Sequence, residues 1–148
     1  SITDPEARLH VLNESDTQNV ISLGYEGLSA EELVAQAHES GAEVVVDVRL
    51  NAISRKRGLS KTALAAALQA AGIRYVHLRG LGNPKDNRAA FVSGNPAARA
   101  RFVELLQSGD GERDLATLRD LTANNRVALL CFEHDPATCH RTVVAQQL

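Results

Sequence analysis

The stretch CFEHDPATCHR, residues 131–141, gathers two thiols, two imidazoles, two carboxylates and a guanidinium within eleven residues. Cys139, His140 and Arg141 stand side by side where a helix is expected to open, with Asp135 placed to cap it and Pro136 at its first position. A thiol near a helix amino end, beside an imidazole and a guanidinium, is biased towards thiolate, which makes Cys139 a candidate nucleophile. Adjacent helical residues point about 100° apart, so sequence adjacency alone makes no Cys139–His140 dyad, and an inert buried Cys139 is the competing reading. Arg141 is a candidate anion ligand. Glu133 and His140 are candidate proton carriers, with Glu133 alternatively orienting Arg141 or His140. Cys131, His134, Cys139 and His140 amount to a legal zinc set. Cys131 lies inside an apolar run, however, and the seven-residue gap to Cys139 fits no common knuckle, so neither a metal nor a cofactor is expected.

Three earlier blocks carry similar chemistry. GYEG, residues 24–27, places Gly24 and Gly27 around Tyr25 and Glu26. Glycines allow a sharp turn or a close ligand approach, and the block lacks the spacing of a dinucleotide or Walker loop. Glu26 is a candidate proton carrier or ribose ligand, or a partner for Arg49; a plain strand-to-helix turn is equally compatible. DVR, residues 47–49, ends an apolar run, so Asp47 needs a partner there, while Arg49 offers a planar fork for phosphate or carboxylate. SRKRGLSK, residues 54–61, adds Ser54, Arg55 and Lys61 to an anion-binding set with Gly24, Tyr25, Gly27, Arg49 and Arg141. Salt-bridge duty is the alternative for the arginines.

Charge supports an anionic partner. The net charge is −2, yet residues 48–90 hold nine bases (Arg49, Arg55, Lys56, Arg57, Lys61, Arg74, Arg79, Lys85, Arg88) against the single acid Asp86. Such segregation favours a small anionic molecule or nucleic acid as partner, against a solvated face balanced by acids elsewhere. Aromatics are 3% of the 148 residues, which weakens any model that stacks several bases. No apolar stretch approaches the roughly 20 residues needed to cross a bilayer, and the first residues lack a basic head followed by an apolar stretch. A cytoplasmic protein with reduced thiols and no membrane partner is therefore expected; oligomeric state is not legible.

The elements that must position these groups follow from periodicity. Residues 1–18 are polar and acidic and read as an arm or short helix, with residues 19–148 as one α/β domain. Short β-branched or apolar runs at 20–24, 43–50, 73–82 and 126–133 read as strands. Helical patterns lie between them, with Ser29 and Glu32 forming a capping box and Ser60 capping the alanine-rich helix. A long connection is expected from Gly82 to Asn95, followed by two helices and, after the last strand, a final one. Strands alternating with helices predict a mainly parallel sheet of four to five strands between helical layers, a Rossmann-like three-layer domain. Ligands then bind beyond the carboxyl ends of the strands, where every block above falls.

SLGYEG, VVDVRLNAISRKRGLSKTALAAAL, GIRYVHLRGLGNP and LLCFEHDPATCHRTVVA together resemble the prokaryotic family known as domain of unknown function 488. The likeness runs from Ser22 to Ala145, is weakest between Lys85 and Asn125, and implies a compact α/β fold whose blocks meet at one pocket. It implies no activity. The residues point to an enzyme that hydrolyses or transfers a group on a nucleotide or nucleic-acid-like phosphate compound, with Glu26, Glu133, Cys139 and His140 as its reactive groups. A non-catalytic module binding the same anion is the alternative, and a thiol redox protein using Cys139 ranks last, for want of a Cys-x-x-Cys.

Overall fold

A computed structural model describes residues 10–15, 18–133 and 139–148, with side chains from residue 20 onward within those segments. The strands are β1 (His10–Ser15), β2 (Gln18–Gly24), β3 (Val44–Asp47), β4 (Arg74–His77) and β5 (Val127–Cys131). The helices are α1 (Ala30–Glu39), α2 (Lys61–Ala70), α3 (Lys85–Val92), α4 (Pro96–Leu106), α5 (Gly109–Asn124) and α6 (Arg141–Gln146), with a 3₁₀ turn at Arg79–Leu81. The five strands run in the order β1-β2-β5-β3-β4. β2, β5, β3 and β4 are parallel, and β1 pairs antiparallel with β2. The chain is thus an α/β domain with a four-stranded parallel sheet, plus one antiparallel edge strand, between layers of helices.

β-Branched and aliphatic residues make this sheet because both its faces are buried. β3 and β5 are fully buried along their length. Successive residues serve opposite cores: Val44 and Val46 pack with Val127, Leu129 and Phe102 on one side. Val45 joins Ala128, Leu130, Leu33 and Leu64 on the other. Ser29 and Glu32 form the expected capping box on α1. Ser60 stands at the cap of α2 without a side-chain cap bond; its hydroxyl accepts instead from the Ser54 amide at 2.9 Å, which pins the basic loop.

Two expectations need revision. His10–Ser15 is a strand rather than part of an arm or short helix: it pairs antiparallel with β2 and closes that edge of the sheet. The connection from Gly82 to Asn95 contains α3, whose Asn87 and Phe91 are buried and give it a packing face. Gly82 is there because the backbones nearly touch: a Cβ on it would lie 2.4 Å from Leu50 Cα. No helix among the described residues is long and apolar enough to cross a membrane.

Candidate functional site

The four parallel strands end together, and Asp47, the residue closing β3, ties that end to β4 and to the loop that follows β3. It is fully buried, and its carboxylate accepts from the Arg49 amide at 3.1 Å, from Arg49 Nε at 2.8 Å and from Arg49 Nη2 at 2.6 Å. The Tyr75 hydroxyl of β4 donates to the same carboxylate. Arg49 Nη1 donates to the Leu59 carbonyl at 2.7 Å, and the guanidinium lies 5.4 Å from the Tyr25 ring centroid. His77 Nε2 meets the Arg49 carbonyl at 2.7 Å. Burial disfavours the Arg49 charge, but the Asp47 bonds and charge outweigh it and hold Arg49 protonated well beyond its ordinary range. Burial, then the bond to Asp47, likewise raises Tyr75 above its ordinary range, so the phenol keeps its proton.

A cavity of about 130 Å³ opens beside this pair, at the carboxyl ends of the strands. Tyr25, Arg49, Leu50, Asn51 and Asn83 contribute from the first three strand ends, and Cys131, Phe132, Glu133 and His140 from the fourth and the start of α6. Arg88, Phe91 and Val92 of α3 close the far side, with Ile53 at the mouth. Arg88 is anchored by Nε donating to the Asn83 carbonyl at 3.0 Å. The rim is apolar: Ile53, Val92 and Phe132 are three of the four exposed large hydrophobic residues among those described. Phe132 also packs edge-on against Tyr25, with ring centroids 5.4 Å apart.

One wall is the cysteine-bearing terminus. The Cys131 and Cys139 sulfurs are brought into contact, with Cα atoms 7.7 Å apart, wider than the about 4.4–6.8 Å that most disulfides span. The reason is topological: the end of β5 and the start of α6 converge on one point. Glu133 Oε2 lies 3.0 Å from Cys131 Sγ, and His140 Nδ1 lies 3.7 Å from Cys139 Sγ. His140 caps α6 rather than lying within it, so its ring reaches back to the Val48 carbonyl, 2.8 Å from Nε2. That carbonyl can only accept, so Nε2 carries the proton and Nδ1 is the open lone pair. Burial, reinforced by the Arg141 and Arg88 charges and only partly opposed by the bond to Val48, lowers His140 to about pKa 4.

The strand ends do not collect all the predicted groups. Tyr25, Arg49, Glu133 and His140 line the cavity, while Cys139 sits just behind Cys131. Gly24 and Gly27 shape the turn: Gly24 pairs with Cys131, and Gly27 takes a φ of 80°. Glu26 is exposed outside the lining, its amide bonded to the Phe132 carbonyl. Ser54 is structural, accepting from the Lys56 amide. Arg55 and Lys61 are exposed on the loop and at the start of α2 and do not line the cavity. Arg141 is wholly buried, and its guanidinium donates to the Glu133 carbonyl, which secures the wall from behind. His134, Asp135 and Pro136, a proposed ligand, cap and first helical residue, lie outside the described residues.

A family model described as Domain of unknown function DUF488 matches residues 29–148. The chain belongs to this family. No curated protein and no solved structure matches it. The matched span of this DUF488 domain holds β3, β4, β5 and every helix, hence every cavity-lining residue except Tyr25. Arg88 and Phe132 are site residues that the motifs missed. Arg88 was visible only as one of nine bases and Phe132 only as an apolar residue ending a strand; what places them is the α3 turn and the convergence of strand ends.

The buried pair and the buried imidazole each have a measurable consequence for stability. Asp47→Ala strands the buried Arg49 charge and lowers unfolding free energy by about 3–5 kcal/mol, whereas Asp47→Ala combined with Arg49→Leu loses distinctly less, as read from urea midpoints. His140 is neutral when folded but takes a proton below its ordinary value of 6.5 once unfolded, so the unfolded chain binds more protons between there and about pH 4. Its contribution to stability is complete above that window and declines as pH falls through it. The urea midpoint of the wild type therefore drops over this window more steeply than that of His140→Gln.

Proposed function

We propose that the DUF488 domain binds a nucleotide or nucleic-acid-like phosphate compound in the cavity at the strand ends and hydrolyses it or transfers a group from it. The observation that carries the reading is the make-up of that cavity, a polar floor of Arg49, Asn83, Glu133 and His140 with Arg88 beside it, under an apolar rim of Ile53, Val92 and Phe132. A compound with an anionic end and a flat apolar body matches this division. Its volume of about 130 Å³ suits a phosphate with part of a sugar, leaving a base to lie on the rim against Phe132.

Roles differ from residue to residue. Arg49 has its fork occupied by Asp47 and Leu59, so it shapes the floor and lends little net charge. Arg88, exposed on α3 and held through Nε by Asn83, is the anion ligand. Glu133 is the proton carrier, because it lines the cavity with its carboxylate beside Cys131. His140 has its protonated nitrogen turned to Val48 and its lone pair to Cys139, and so holds the wall in place.

The test is a turnover screen over mononucleotides, dinucleotides and short oligonucleotides, with binding followed in parallel. Arg88→Ala should weaken binding about tenfold or more, the loss of one charge-assisted contact, and Glu133→Gln should abolish turnover while leaving binding intact. Affinity should fall by no more than about 0.9 log unit per log unit of salt, the response to a single phosphate. Binding with no turnover of any compound would make the domain a binding module, and a salt slope several times larger would move the partner to a polymer.

A further inference from the structure

We propose that the reduced form of Cys131 and Cys139, with His140, is a binding site for a zinc-type divalent metal ion, its fourth position left to solvent. One ligand atom from each of Cys131, Cys139 and His140 lies within 4.8 Å of the others. Both sequence objections to a metal fail against the fold. Cys131 is the last residue of β5 and faces the cavity, and His140 closes the cluster from the next element, so knuckle spacing is not required.

The distances suit coordination. A thiolate at about 2.3 Å and an imidazole nitrogen at about 2.0 Å from a tetrahedral metal stand roughly 3.5 Å apart, and Cys139 Sγ and His140 Nδ1 are separated by 3.7 Å. The Cys131 and Cys139 Cα atoms are 7.7 Å apart, beyond the about 4.4–6.8 Å that most disulfides span and wide enough to seat an ion between two thiolates.

The outer contacts are also those of a metal site. A metal-bound imidazole commonly gives its other N–H to a backbone carbonyl, which fixes the ring; His140 does this with Val48. The Arg141 amide points at Cys139 Sγ from 3.5 Å, a contact that would stabilise a thiolate. Disulfide and metal states exclude each other. A phosphine supplies the two electrons that open an S–S bond and leaves as its oxide, water giving that oxygen and the two protons of the resulting thiols, and the ion then displaces both thiol protons to solvent. The cluster borders the cavity through Cys131 and His140, and its metal binding is tested with no nucleotide present.

Cobalt(II) titrated into the phosphine-reduced chain tests it. The expected result is a near-ultraviolet thiolate-to-cobalt band with intense visible absorption, saturating at one ion per chain and bleached by zinc. Cys139→Ser should cut the near-ultraviolet band at least to about half, whereas His38→Gln, on the exposed face of α1, leaves it unchanged. Circular dichroism of each variant separates loss of ligand from loss of fold. A folded, reduced wild type that gives no such band, or binds cobalt without thiolate absorption, overturns the assignment. So does a chain whose two cysteines stay oxidised under reductant, as read by thiol counting.

Discussion

The buried Asp47–Arg49 pair is the constraint on which the strand ends depend. Two charges taken out of water cost several kcal/mol each unless their bonding capacity is filled. Here it is filled from several directions, by Tyr75 from β4, by the Leu59 carbonyl ahead of α2, and by the Arg49 amide itself. Because each partner belongs to a different element, satisfying the pair fixes β3, β4 and the basic loop relative to one another. His77 adds a further tie to the Arg49 carbonyl.

Satisfying the pair also decides what the cavity can do. An arginine that spends its fork on a buried carboxylate is a wall, and the electropositive face of the cavity passes to Arg88 on α3. The opposite wall is held by a second buried arginine, Arg141, through the Glu133 carbonyl. The two deeply buried arginines therefore build the walls, and the exposed Arg88 is the one that the proposed function gives to a ligand. Between those walls lie Glu133, the cysteine pair and His140, where proton transfer, thiol chemistry and metal binding would all share one neighbourhood.

Much of this was legible in the sequence because it rests on local rules. The β-branched run at 44–48 read as a buried strand, the Ser29–Glu32 spacing as a helix cap, and the alternation of patterns as a parallel sheet with its motifs at one end. What the sequence concealed is set by partners far away in the chain. β1 has no sustained period in its sequence and is recognisable only through its pairing with β2. The role of Arg49 turns on where its fork points, and types and spacing do not reveal that. Arg88 and Phe132 carry no motif and join the site only through the packing of α3 and the ending of β5. Cys131 looked like core because it belongs to an apolar run, yet a strand's last residue can face both the core and a cavity.

The most direct test is the hydrogen exchange of the Arg49 Nε–H, followed by nitrogen-edited NMR at neutral pH. A proton held between Arg49 and a fully buried Asp47 should exchange far more slowly than those of exposed arginines such as Arg55, and Asp47→Asn should speed it up. An Arg49 proton that exchanges as fast as that of Arg55 in the folded wild type would show that the pair is open to water, and the proposed organisation of the strand ends would be contradicted.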